Sequence, residues 1–280
     1  MILFLLFFNM RYIMKKFIFT ILFILSSFAV FAADQQPPKS TASCAAQTPY
    51  GLPSTIANHP VICRTAYILE HDPVAKIPNW VAWTLTPDHA IGCVVRTDAF
   101  AADQSLPANA RSTPQDYAGS GYDQGHLAND ADMSWDPQVE HESFLMSNMS
   151  PQLPNVNRGT WKSLESASRA WVYSTKHPFT EYAGNIYSAS SKTIGADKVV
   201  VPDSLFKIVI DDTTKKSYAF IIPNQLGIDP DFSKFQVTVS DVEKASGTTF
   251  PVPDSKTVKN LILPVDLNTL ATDKKKQCKG

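Results

Sequence analysis

The chain has 280 residues, 44% of them hydrophobic and 18% charged, with 25 lysines and arginines against 26 aspartates and glutamates. Such proportions fit a globular protein with a substantial core, and twenty prolines against eleven glycines argue against an all-helical bundle. A chain so close to neutrality does not hold a polyanion by bulk charge, so any contact of that kind has to be local, through a basic strip in a cleft.

Met14-Lys15-Lys16 precede an apolar run from Phe17 to Leu25 and a small-residue exit from Ser26 to Ala33. A basic start, an apolar core and that exit predict a secretory signal peptide over residues 1–33, with Val30-Phe31-Ala32 as the cleavage motif. Met1 to Ile13 reads as an upstream start. Phe17 to Ala33 is nearly long enough to span a bilayer, so an uncleaved anchor is the alternative. Cleavage after Ala32 takes Arg11, Lys15 and Lys16 from the 25 basic residues, leaving 22 against 26 acidic ones, a net charge of −4. No later segment is long and apolar enough to hold the mature chain in a membrane, and a secreted or periplasmic location is expected. Four cysteines, Cys44, Cys63, Cys93 and Cys278, suit two disulfides in an exported chain and allow three pairings. The favoured pairing is Cys44–Cys63 and Cys93–Cys278. No C-x-x-C spacing points to zinc or to thiol redox chemistry.

In chain order, residues 34–62 read as a leader and loop, with its first ten residues polar and mobile. One domain then runs over 63–280. Thr65 to Leu69, Trp80 to Leu85 and Ile91 to Arg96 have the aromatic and β-branched character of strands. Asp98 to Ser120 reads as a long surface loop. A helical pattern covers Val156 to Val172, placing Asn157, Trp161, Glu165 and Arg169 four residues apart on one ridge. Further strands are expected at Asn185–Ala189, Lys198–Val201, Leu205–Ile210, Tyr218–Ile222 and Phe235–Val239. A short helix is expected from Val239 to Ser246, and the lysine-rich tail from Lys274 reads as solvated apart from Cys278. The architecture predicted is a single α+β domain with a central antiparallel sheet flanked by helices.

The chemistry concentrates between Tyr122 and Arg169, where Asp123-Gln124-Gly125-His126, Ser147-Asn148-Met149-Ser150-Pro151-Gln152 and Asn157-Arg158-Gly159-Thr160-Trp161 follow one another. Polar groups at this density are costly to bury without a reason. H-E-x-x-H, G-x-S-x-G and the P-loop are all missing from the sequence. A histidine titrating near neutrality can take a proton from water, although a loop histidine taken alone reads more readily as structural. Asn157 can ligate a hard cation through its amide oxygen, since Mg²⁺ keeps most of its waters; its bland reading is a helix cap. Glu165 could hold a water of that cation or simply pair with Arg169. Trp161 reads as core.

These three motifs, with Leu164 and Glu165 completing the last, resemble the DNA/RNA non-specific endonuclease family, whose members include secreted sugar-non-specific nucleases and mitochondrial endonuclease G. Weaker similarity extends from Cys63 to about Phe250. The resemblance implies a ββα-metal motif, DNA and RNA as substrates, Mg²⁺ as cofactor with Mn²⁺ as a substitute, and 5′-phosphate products. It makes His126 the general base and Asn157 the sole direct protein ligand of the cation. Asn148 would position the histidine, Glu165 would hold metal waters, and Arg169 and Arg96 would bind phosphate; Asp123, Gly125 and Trp161 would be structural. One position departs: Gln124 stands where the family has arginine, and a neutral amide replaces a charged, bidentate donor. A phosphodiesterase acting on small nucleotides, or a weakened nucleic-acid-binding protein, remain the alternatives.

Overall fold

The computed structural model describes residues 38–253 and 266–279, and the expected signal peptide lies outside them. The strands are β1 (Val61–Cys63), β2 (Tyr67–Asp72), β3 (Ile77–Leu85), β4 (Asp123–His126) and β5 (Met149–Gln152). After a helical stretch come β6 (Phe179–Ile186), β7 (Thr193–Ile194), β8 (Val199–Val200), β9 (Ser204–Asp211), β10 (Ser217–Pro223) and β11 (Gln236–Val237). Seven of them form one sheet in the order β1-β2-β3-β6-β9-β10-β11, and every neighbouring pair is antiparallel. β4 pairs with β5 outside that sheet. Three longer helices matter below: α1 (Lys162–Thr175), α2 (Val239–Ser246) and α3 (Leu267–Gln277). The mixed architecture with a large antiparallel sheet is the one expected.

Side chains alternate across the sheet because successive residues of a strand point to opposite faces. One face carries Tyr67, Leu69, Val81, Trp83, Ala183, Leu205 and Val209, covered by Trp161, Leu164, Ala167 and Trp171 at α1. The other carries Ile68, Trp80, Ala82, Tyr182, Phe206 and Ile208, covered by Val239 and Val242 of α2, by Phe250 and by Cys44. The sheet is therefore a middle layer buried on both sides, which explains why its strands read as near-continuous apolar runs.

Several expectations need correction. Ile91 to Arg96 is not a strand. Gly92 is pressed against Ser134, where a Cβ would come within 2.1 Å of the Ser134 backbone, and the Val94 amide donates to the Ser134 carbonyl at 2.9 Å. The segment is thus pinned to a loop and pairs with no sheet edge. The strand expected at Asn185–Ala189 begins earlier, at Phe179, and stops at Ile186. Its polar interior residues Thr180 and Glu181 hid it. The leader is docked from Lys39, whose amide donates to the Cys63 carbonyl at 2.9 Å, and Cys44 is buried in the turn Thr41–Gln47. The lysine-rich tail is the helix α3, with Lys275, Lys276 and Lys279 exposed as expected, Lys274 half-buried and Leu270 buried. Disulfides join Cys44 to Cys63 and Cys93 to Cys278, with Cα atoms 5.9 Å and 5.2 Å apart. No helix of the described residues is long and apolar enough to cross a membrane.

Candidate active site

β4 and β5 lie side by side in the register Gly125↔Ser150 and His126↔Met149. Gly125 is required by a close approach: a Cβ there would sit 2.2 Å from the buried Gln152 side chain. After β5 the chain enters a π-helical turn, Val156–Trp161, and continues as α1. Gly159 breaks the helical geometry inside that turn (φ −111°, ψ −105°), and single wide turns of this kind recur at functional sites. The wider turn also undoes the expected ridge. Asn157, Glu165 and Arg169 face one cleft, whereas Trp161 rotates into the core and donates its indole N–H to the His126 carbonyl at 3.2 Å.

The cleft encloses about 560 Å³. Arg96, Arg158, Lys162 and Arg169 supply its positive charge, Asp123, Asp130 and Glu165 its carboxyls, and His126, Gln124, Asn129 and Asn157 its neutral polar groups. A local basic strip is present in a chain whose formal net charge is −1, as polyanion binding requires.

His126 is 8% exposed, with Phe144 edge-on at 4.9 Å and Phe100 tilted at 5.7 Å. Burial, and then the nearby Arg96 guanidinium, push its imidazole down to about 3. The ring is therefore neutral at any ordinary pH, able to accept a proton and unable to donate a second one. Nε2 is enclosed without a hydrogen-bond partner, and Nδ1 bonds to no protein group among the described residues. Backbone around the ring is fixed by Asn148. Its amide donates to the carbonyls of Ala128 and Ser143, both at 2.8 Å, and its Oδ1 accepts from the Ala128 amide at 3.0 Å. Asn148 is fully buried and does not line the cleft. From there it holds the histidine's loop and does not reach the cleft.

Asn157 donates its Nδ2 to Asp123 Oδ2 at 2.9 Å, and Arg158 grips the same carboxylate through Nε at 2.8 Å and a terminal nitrogen at 2.6 Å. Asp123 thereby sets which way the Asn157 amide points, and Oδ1 keeps no hydrogen bond among the described residues. Glu165 sits deeper, and burial pushes its carboxyl up to about 8, with Asp132 and Glu181 adding to the rise. Lys207 and Arg169 oppose it, but each has its own partner: Lys207 pairs with Glu181 at 2.7 Å and Arg169 pairs with Asp132. Glu165 consequently lacks a charge partner, and an added cation would supply one. Among the described residues no three His, Cys, Asp or Glu side chains cluster as a metal cage. One free amide oxygen, one unpaired carboxyl and an open cleft suit a hard cation that retains most of its waters, and do not suit zinc.

Arg96 lines the cleft, paired with Asp98 at 2.7 Å and Asp130 at 3.2 Å and lying 4.8 Å over Phe144. Arg169, also bonded to Asn129 Oδ1 at 3.0 Å, pairs with Asp132 and not with Glu165, which corrects the helix-surface pair. Gln124 lines the cleft and its amide bonds to nothing among the described residues. Sequence reasoning missed Asp130, Asp132, Asn129 and Lys162. The first three follow the histidine motif by three to six residues, so density of polar groups was an available signal; Lys162 offered none.

The chain is similar to known nucleases over most of its length. The sequence model of the DNA/RNA non-specific endonucleases matches residues 46–255. Human mitochondrial endonuclease G is 32% identical over 217 residues, which cover 72% of this chain and 71% of that protein. A nuclease of Nostoc sp. is 34% identical over 202 residues, covering 68% and 72% respectively. The solved structure of EndoG in complex with EndoGI superposes with a TM-score of 0.68 at 28% identity, over 75% of this chain and 91% of that one.

Proposed function

This chain belongs to the DNA/RNA non-specific endonuclease family and is a nuclease, and from that premise we propose that it is an exported enzyme that hydrolyses DNA and RNA with Mg²⁺, Mn²⁺ serving as a substitute, to leave 5′-phosphate ends. The observation that carries this reading is the convergence of a neutral His126, the oriented Asn157 and the unpaired Glu165 on one cleft rimmed by arginines. Export is supported by the signal pattern at the N-terminus and by two disulfides, which persist in oxidising compartments.

Each residue has a task in this mechanism. Arg96 and Arg169 hold the non-bridging oxygens of the scissile phosphate, with Gln124 adding a neutral donor. Asn157 Oδ1 would ligate the cation and Glu165 would hold its waters; bound there, the cation would supply positive charge to the phosphate and to the departing 3′-oxygen. His126 takes a proton from a water molecule whose oxygen forms a bond to phosphorus, in line with the bond to the 3′-oxygen. That P–O bond breaks, its electron pair stays on the 3′-oxygen, and solvent protonates it. The phosphate remains on the 5′ side. Contacts of this kind reach backbone and no base edge, which accounts for indifference to sequence.

Plasmid nicking tests the reading. Wild type should relax supercoiled DNA with Mg²⁺ and stop in EDTA. Cleavage of a small aryl phosphodiester without cleavage of plasmid or RNA would move the assignment to a small-nucleotide phosphodiesterase. Retention of DNA in a gel shift with no cleavage under either metal would make it a binding protein.

A further inference from the structure

Helix α3 lies past residue 255, where the family match ends, yet it is docked beside the cleft. Leu270, Lys274 and Cys278 fall four residues apart and so share one ridge. Leu270 packs on Ile91 and on Ala170 of α1. Cys278 is bonded to Cys93, three residues before Arg96. Asp273 accepts from the Tyr173 hydroxyl of α1 at 2.8 Å. The helix thus bridges the two segments that present Arg96 and Arg169 to the cleft.

Between its two anchors, Lys274 is held against the domain. It is half-buried, has no carboxylate within ion-pairing distance among the described residues, and its charge is felt by Arg169 and Asp130, which line the cleft, and by Asp132. Burial and the like charge of Arg169 push its ammonium down, while Asp130 and Asp132 act in the opposite sense. Lys276 is neutralised locally by Asp273 at 3.1 Å, whereas Lys275 is exposed without a partner among the described residues. A structural lysine would be expected to extend its stem to solvent or to find an acid. Lys274 makes no ion pair among the described residues and stands near Arg169 of the cleft, and Lys275 beside it is exposed, so both ammonium groups are available to a backbone phosphate.

We propose that Lys274 and Lys275 of the C-terminal helix form a second phosphate-binding subsite, which grips the nucleic-acid backbone outside the scissile position and is held in place by the Cys93–Cys278 disulfide. The inference deepens the nuclease reading and rests on it for the identity of the ligand. It also gives an acidic chain a means of holding a long polyanion.

Equilibrium binding in EDTA, where no strand is cut, separates the subsite from the chemistry. Anisotropy of a fluorescein-labelled 30-mer DNA duplex is measured from low to moderate salt for wild type and for Lys274→Gln/Lys275→Gln. Every phosphate that a lysine no longer neutralises lowers the slope of log K against log salt by about 0.9, so the double variant should have a slope shallower by roughly 1–2 and an affinity weaker by on the order of tenfold at low salt. With metal present, its kcat/KM on duplex relative to that on a small aryl diester should fall by a similar factor. Equal affinity and equal slope would overturn the subsite, as would failure of wild type to bind duplex at all. If the lysines alter binding but wild type cuts nothing with Mg²⁺ or Mn²⁺, the subsite stands and the nuclease reading falls.

Discussion

The two faces of the central sheet are built from the same strands and hold very different contents. Beneath α2 the interior is mostly apolar, with Ile68, Trp80, Ala82, Phe206 and Ile208 packed together, and the buried Glu70 opposite Trp80 accepts from the Ile56 amide at 2.6 Å and from the Asn79 side chain at 2.9 Å. Beneath α1, alternate residues of the same strands place Glu181 and Lys207 in the core, both fully buried and paired at 2.7 Å, with Ser168 donating to the glutamate and Lys207 4.7 Å over Trp83. Burial of an ion pair carries a desolvation penalty that its attraction repays poorly. A buried ion pair lies on the face that supports Glu165, whereas the buried carboxylate of the opposite face, Glu70, is met by neutral donors. The mostly apolar face stabilises the domain, and the face with the ion pair places the chemistry.

That comparison can be broken by mutation. The largest change should follow His126→Ala, which removes the base: kcat on plasmid should fall about 10²–10⁴-fold, with a thermal midpoint close to wild type. Lys207→Met leaves Glu181 buried without its partner and should cost about 3–5 kcal/mol in urea unfolding. Adding Glu181→Leu should recover most of that stability but not the rate, if this face serves the site. Phe206→Ala, on the opposite face, should cost a similar 3–5 kcal/mol, on the order expected for opening a cavity against Phe250. Its kcat per folded molecule should match wild type. A fall in that kcat would mean that the two faces do not divide their labour. Gln124→Arg should raise kcat/KM on DNA, by up to about 2–4 kcal/mol of transition-state stabilisation if the neutral amide is the weak point.

The remaining effect concerns pH. His126 titrates at about 3 in the folded chain and near 6.5 when unfolded. Unfolded protein therefore binds the proton first, so stability falls as pH drops from about 6.5 toward 3 and is unaffected by this group above that range. The neutral base also survives mild acid, and the acid limb of kcat/KM at saturating Mg²⁺ should lie below about 6.5. A limb at that pH which moves in His126 variants would contradict the burial of the ring.

Much of the active face was legible in the sequence because its chemistry is local. Asp123 to His126 and Asn157 with Glu165 lie in short runs whose order alone brings them to one cleft. What could not be read is tertiary. Arg169 finds Asp132 thirty-seven residues away, and Asp123 turns the Asn157 amide from thirty-four. No spacing rule anticipates either pairing. The strand from Phe179 was obscured by Thr180 and Glu181, interior polar residues whose partners lie on other elements. Helix α3 was hidden for the opposite reason: its lysines look like a solvated tail, and only the ridge of Leu270, Lys274 and Cys278 gives away a docked face.

The division between His126 as base and Asn157 as cation ligand is tested most directly by measuring Mg²⁺ dependence of plasmid nicking alongside Mg²⁺ binding by calorimetry, in wild type, His126→Ala and Asn157→Ala. The account predicts that His126→Ala binds Mg²⁺ as wild type does and scarcely cuts. Asn157→Ala should lose the binding heat and cut, if at all, only at far higher metal. Wild-type nicking by both variants at the same Mg²⁺ concentration would contradict it.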